Sequence, residues 1–290
     1  MCGWVMSSVV GGAGAGVSRS VSRGHLLRGT GLAGLIAAGI VSTAVVPGPA
    51  QAQTILPQGG TVTAGAATIG PSSPNSLLIT QTSPTAIIEW QSFSVGGTAT
   101  AHFDNGAGAT LNRVTGNDPS LIAGTLSATG SLYLINPAGV TVGPDGKIMT
   151  GGSFVASTHD VSDSDFLAQG AMTFAGSSKG EVVNHGMIRS AMGDVALIAR
   201  RVENTGEIDA PNGTVGLAAG YEVLMREASG ADGKFAVRVG GADTEVVNSG
   251  TIRAAEVELR ANGGNVYALG VNTKGIIKAC LLYTSPSPRD

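Results

Sequence analysis

The apolar positions of this chain fall into two kinds of short segment. Some are nearly continuous apolar runs, such as Ser131 to Ile135 (SLYLI). A run of this kind fits a strand covered on both sides, where alternation fades. Others are three or four residues long and closed by turns. Asn136-Pro137-Ala138-Gly139 has Asn at the first turn position, Pro presetting φ at the second and Gly at the fourth. Val140-Thr141-Val142 follows, and Gly143-Pro144-Asp145-Gly146 repeats the turn grammar. Strands this short are awkward for a sandwich but suit successive rungs of a right-handed parallel β-helix.

From Glu181 onward the pattern repeats. Val182-Val183-Asn184-His185-Gly186-Met187-Ile188 returns as Val202-Glu203-Asn204-Thr205-Gly206-Glu207-Ile208, and the spacing from Asn184 to Asn204 is 20. Val247-Asn248-Ser249-Gly250-Thr251-Ile252 restarts it after an excursion, Tyr221 to Glu245, expected to form a hairpin or extra-helical pair. A period near 20 is one coil. One coil cannot offset its own chain entropy, so neighbours must stack. Roughly ten coils at about 4.8 Å give a rod about 50 Å long. Asn184, Asn204 and Asn248 occupy equivalent corners. They could bond along a column or supply positive φ in the turns, and the sequence leaves both open.

Elsewhere the pattern predicts smaller elements. Gln53 to Thr80 should contain capping strands, since an open rung exposes unpaired backbone. Ile87 to Val95 continues the strands, with Trp90 expected in the core or cap. Asn117 to Gly124 predicts a helical turn capped by Asp118, with Pro119 at its first position. Ser162-Asp163-Ser164-Asp165 predicts another helix start ahead of Phe166. Both helices are expected to be minor projections from the solenoid.

The ends differ from the middle. Residues 1–52 hold Arg19, Arg23 and Arg28 and no acid, then the apolar run Leu32 to Val46, a Pro47-Gly48-Pro49 break and Ala50-Gln51-Ala52. This predicts a signal peptide with an extended n-region, cleaved between Ala52 and Gln53. Gly39, Ser42 and Thr43 interrupt the run and argue against a membrane anchor. Residues 53–279 form the predicted β-helix domain. Residues 280–290 end in Pro and Ser and are expected to be a non-native or truncated tail.

Composition narrows the chemistry. The 290 residues include 45 Gly, with 13% charged and 4% aromatic residues, which favours tight turns and short strands. Of 17 basic and 20 acidic residues, three basic and no acidic ones lie in 1–52, so the domain is mildly acidic. No Lys/Arg cluster exists to hold phosphates, which argues against nucleic acid. Cys2 and Cys280 both fall outside the predicted domain. A solenoid core needs no disulfide, and a chain crossing a second membrane unfolded should not be cross-linked.

Four segments in one order carry a family resemblance: Trp90-Gln91-Ser92-Phe93-Ser94-Val95-Gly96, Leu111 to Ser120 (LNRVTGNDPS), Asn136-Pro137-Ala138-Gly139, and Gly151 to Thr158 (GGSFVAST). Together they resemble the haemagglutination-activity, or two-partner secretion, domain of filamentous-haemagglutinin-like exoproteins. The chain lacks the Asn-Pro-Asn-Leu motif that some members carry. The resemblance implies Sec export and recognition by an outer-membrane β-barrel transporter through its POTRA domains. It also implies folding outside the Gram-negative cell, as the head of a secreted or surface adhesin. Strand addition is the plausible recognition mode, with Asn136 to Gly139 and Ile87 to Val95 as the segments; a purely structural role for the turn stays open. Host or surface carbohydrate or protein ligands are the possible adhesive partners.

Catalytic patterns are weak. Gly176-Ser177-Ser178-Lys179-Gly180 has the G-x-S-x-G spacing, but a strand follows where a nucleophile elbow needs a helix. His102, His159 and His185 are scattered and lack zinc-ligand spacing. Asp160, Asp163 and Asp165 are explained by helix capping rather than calcium. The scaffold also hosts carbohydrate-active enzymes, the alternative function. Such an enzyme would show acids with Arg or Lys clustered on one solvent face, which the sequence does not display. No catalytic, cofactor or metal residue is therefore assigned. Asn212-Gly213-Thr214 has the N-glycosylation spacing, and its use is left open.

Overall fold

The computed structural model describes residues 55–230, 233–261, 271–273, 275–279 and 281–284. The predicted signal segment and its cleavage residues, Ala52 and Gln53, lie outside them, as do residues 285–290.

The short strands wind around one axis and visit three faces in turn. The first face stacks Ser76–Gln81, Thr100–Asp104, Thr125–Ala128, Lys147–Thr150 and Met187–Ser190. It continues with the first halves of Glu207–Ala219 and Thr251–Ala261, then Ile276–Lys278. The second face stacks Thr85–Trp90, Ala109–Val114, Ser131–Ile135, Phe154–Ser157 and Val195–Ala199. The second halves of the same two long strands follow, then Leu281–Thr284. The third face stacks Ser120–Ile122, Val140–Val142, Glu181–Asn184, Arg201–Asn204, Glu245–Asn248 and Val271–Thr273. All of these pairings are parallel. This is the expected parallel β-helix.

The first two faces each hold eight parallel rungs among the described residues, about 34 Å at about 4.8 Å per step. Two excursions interrupt the winding: Phe154 pairs with Val195, and Val215 with Val257, where adjacent rungs elsewhere pair Val195 with Val215. Leu281–Thr284 pairs in register with Glu256 to Leu259. Strand pairing among the described residues therefore extends to Thr284.

The start of the rod is closed by antiparallel chain. Thr61–Ala64 pairs with Thr85–Trp90, and Ala67–Ser73 pairs with Ser76–Gln81, so the first rung has no bare edge. Trp90 is buried beneath this cap, meets Phe93 edge-on at 5.5 Å, and donates from Nε1 to Asn112 Oδ1 at 2.9 Å. An indole needs a partner for its N–H when buried, and Asn112 supplies it inside the core.

Inside runs one apolar column, from Leu77 and Ile79 to Leu259 and Ala261. The second face carries a further apolar layer on its outer side: Ile87, Leu111, Tyr133, Ile135, Val155, Ala196, Ile198 and Ala218 are all buried. This explains the run at Ser131 to Ile135. The two excursions supply the cover. The first contributes the helix Asp163–Ala168 and the strand Met172–Ala175; the second contributes the hairpin Glu222–Gly230 and Gly233–Val239. Met172–Ala175 pairs antiparallel with Glu222–Gly230, giving a three-stranded roof.

The helix starts as expected, with Ser162 Oγ accepting from Asp165 N at 3.1 Å. It is no mere projection, however. Phe166 is buried edge-on against Tyr133 at 5.2 Å. Arg113 holds it down through Asp160 and Asp163, both at 2.9 Å. The helical turn expected at Asn117 to Gly124 does not form. Ser120–Ile122 is a strand, and it pairs with Val140–Val142. One helical turn gains a single backbone bond for several fixed residues, whereas a rung gains bonds from its neighbours and buries Ser120 and Ile122.

Gly216 shows how closely the roof sits. A Cβ there would lie 2.3 Å from the Phe235 ring. Gly216→Leu is expected to lift the hairpin and cost about 1–3 kcal/mol by overpacking. Urea unfolding reads the cost, and limited proteolysis reads the release of Glu222–Gly230 and Gly233–Val239.

Candidate functional site

Asn136, expected as a turn former, is a buried junction between rungs. Its Oδ1 accepts from Ala138 N at 2.9 Å, and its Nδ2 donates to Asp118 O at 3.0 Å and Ser120 Oγ at 2.9 Å. Gly139 N donates to Asn136 O at 3.0 Å, closing the turn. Gly139 has φ of 121°, which a side chain would resist. Ser178 Oγ donates to Pro137 O at 2.6 Å, and Ser120 N to Gly139 O at 2.9 Å. The chain before and the chain after thus both bolt onto this turn. Pro137 is exposed and Ala138 half-buried, but most of the turn's hydrogen-bonding groups are in use.

Within Ile87 to Val95 the polar Gln91 is exposed and Glu89, Ser92 and Ser94 are half-buried. Ile87, Ile88, Trp90, Phe93 and Val95 are all buried. Inward positions enter the core, and Ile87 lies under the outer cover.

The three corner asparagines form a column. Asn184 Nδ2 donates to Asn204 Oδ1 at 2.8 Å, and Asn204 Nδ2 donates to Asn248 Oδ1 at 2.7 Å. All three are fully buried, and none has positive φ. The glycine two positions on is needed for space. A Cβ on Gly206 would lie 2.1 Å from Gly186 O, and one on Gly250 2.1 Å from Gly206 O. Contact between rungs, rather than turn conformation, selects Asn-x-Gly here.

Charged residues do cluster on the solvent faces, which the sequence did not reveal. On the third face Arg201 reaches Glu181, Glu203 and Glu245 at 3.2, 2.7 and 3.2 Å, and Arg200 meets Glu181 at 2.8 Å. Burial opposes the charge on Arg201, but Glu203, Glu245 and Glu181 outweigh it and raise its pKa. On the first face Arg189 and Arg253 each lie 3.6 Å from Asp209. Register explains the miss: Glu181, Arg201 and Glu245 are far apart in sequence yet adjacent across rungs. These carboxylates are all paired with arginine, so the clusters act as ladders between rungs.

The remaining chemical candidates are structural. Ser178 pins the turn at Pro137 and accepts from Gly180 N at 2.8 Å. His102 and His185 meet single hydroxyls, Ser127 at 2.8 Å and Thr205 at 2.6 Å. Asn212 is exposed, and its amide donates to Ala191 O at 2.9 Å. Among the described residues no group of three or more His, Cys, Asp or Glu is placed to hold a metal. No described helix is long and apolar enough to cross a membrane.

The three-faced solenoid, capped at its start and zipped by side-chain ladders, is a parallel β-helix domain. The family model for the TPS secretion domain matches residues 53–281. The chain belongs to this two-partner secretion family, whose exoproteins are secreted or surface-associated in Gram-negative bacteria and are recognised by outer-membrane transporters. A Heme/hemopexin-binding protein of Haemophilus influenzae (strain ATCC 51907 / DSM 11121 / KW20 / Rd) is 34% identical over 221 residues, 72% of this chain and 24% of its own length. A second protein of that name from Haemophilus influenzae is 35% identical over 99 residues, 33% of this chain and 11% of its own. The chain therefore spans a quarter or less of these relatives. The solved HMW1 secretion domain from Haemophilus influenzae has a TM-score of 0.63 and 33% identity, covering 71% of this chain and 56% of that one. The filamentous hemagglutinin secretion domain gives 0.48 and 14%, covering 79% and 100%.

His159 joins the two excursions. It is fully buried, and Nε2 meets Gly220 O at 2.7 Å. A carbonyl only accepts, so Nε2 carries the proton in the neutral ring, and Nδ1 has no partner. Burial lowers its pKa, with the Gly220 bond partly offsetting. The unfolded chain therefore binds a proton that the folded one refuses, and stability is lost as pH falls below about 6.5. Urea midpoints between about pH 7 and about pH 5 should decline, and His159→Gln should flatten the decline. An equal decline in that variant contradicts the assignment.

Proposed function

We propose that this chain is the secretion module of a larger surface or secreted adhesin. On this reading residues 1–52 direct Sec export and are removed between Ala52 and Gln53. An outer-membrane β-barrel transporter then captures the extended chain through its POTRA domains, and the rod assembles outside the cell. The observation that carries the proposal is the occupancy of both candidate segments. Asn136 to Gly139 is bolted to two neighbours, and the apolar side chains of Ile87 to Val95 are buried in the rod. Strand addition needs free backbone groups and open side chains, so capture acts on the chain before folding. Folding then withdraws the captured form and biases movement outward. Adhesion belongs to the exoprotein as a whole, and the clustered acids and arginines are read as ties between rungs.

The test compares chain freshly diluted from urea with prefolded rod, binding to the transporter's purified periplasmic domains. The unfolded chain should bind at least about tenfold more tightly, about 1.4 kcal/mol. Equal or tighter binding by the folded rod contradicts the proposal. Asn136→Ala separates the two roles of the turn. It should destabilise the rod by about 1–3 kcal/mol for a buried group left unpaired, and weaken capture of the unfolded chain only if the turn touches the transporter.

A further inference from the structure

The roof over the second face contains a sheltered lysine–carboxylate contact. Lys234, on Gly233–Val239, places Nζ on Oδ2 of Asp194, which precedes Val195–Ala199. Their side chains are only 12% and 13% exposed. Oδ1 of Asp194 accepts the Thr214 backbone N–H at 2.9 Å. Tyr133 shares this surrounding: its hydroxyl is pushed up to about 12, first by burial and then by the charge of Asp194. A third strand fixes the lysine's own backbone. Fully buried Glu258 accepts from Lys234 N and, at 3.1 Å, from Phe235 N, and meets Arg260 at 3.2 Å. The amine, the carboxyl group and a donor on its second oxygen are thus brought together from separate parts of the chain.

We propose that Lys234 and Asp194 condense into an intramolecular isopeptide bond that staples the roof hairpin to the rod. Within the contact a proton passes from Nζ to Oδ2. The freed amine lone pair attacks Cγ, and the negative charge gathers on Oδ1, facing the Thr214 N–H. The Cγ–Oδ2 bond then breaks. Oδ2 leaves as water with the proton already received and a second one from nitrogen. Ammonium plus carboxylate becomes amide plus water, with no net proton and no redox partner. Holding both groups in contact replaces a bimolecular encounter. Glu258 is a positioning residue, fixing the backbone at Lys234. Between Cys2 and Cys280 the chain has no cysteine, so an amide is the cross-link its side chains can offer.

The test is mass spectrometry of the full chain, secreted through its transporter, folded and then denatured. The processed protein should be one water lighter than its sequence. Proteolysis should yield a branched peptide joining the Asp194 and Lys234 segments. Lys234→Arg keeps a cation on Asp194 but cannot make the bond, and should return the sequence mass with no branch. Glu258→Gln, which leaves both reacting groups in place, should give a mixture of masses that shifts toward the lighter one with time. Folded wild-type protein at the sequence mass, or one water lighter without the branched peptide, overturns the proposal.

Discussion

Close approach between successive rungs is the constraint on which the structure rests. Each rung is too thin to enclose its own core, so its inner side chains must lie against those of the next. At the corners this leaves no room for a methyl group, as the contacts at Gly206 and Gly250 show. The same spacing brings asparagine amides within hydrogen-bonding distance, so the column through Asn184, Asn204 and Asn248 satisfies buried polar groups that would otherwise be costly. The charge ladder through Glu181, Arg201 and Glu245 follows from it too.

A solenoid of this kind has three equivalent ways to face water, and this chain gives one up. The outer side of the second face is apolar and is covered by chain inserted between rungs. Arg113, His159, Lys234 and Glu258 then tie the cover to the rod with polar contacts. Both sides of that face are thereby buried.

Much of this was legible in the sequence because side-chain pattern and backbone register coincide in a solenoid. The apolar run at Ser131 to Ile135 marked the doubly covered face, and the spacing of Asn184 and Asn204 marked the coil. Ser162 marked a helix start, and the gap between Tyr221 and Glu245 marked the hairpin. The failures share a cause. Asp118-Pro119 carries a local helix signal that stacking overrides. Met172–Ala175 finds its partner at Glu222–Gly230 across intervening rungs, and no local signal encodes that return. The charge clusters and the Asp194–Lys234 contact are likewise products of register across excursions. As for the corners, glycine composition suggested turn conformation, whereas the structure demands space.

The most direct measurement of this account is the unfolding free energy of Gly206→Ala. If the rungs meet as closely as described, the added methyl group strikes the Gly186 carbonyl oxygen, and the rod should lose about 3 kcal/mol or more, or fail to fold. If the corner has slack, the substitution instead restricts only the unfolded chain and stabilises the protein by about 0.4–1 kcal/mol. That second result would contradict the central claim.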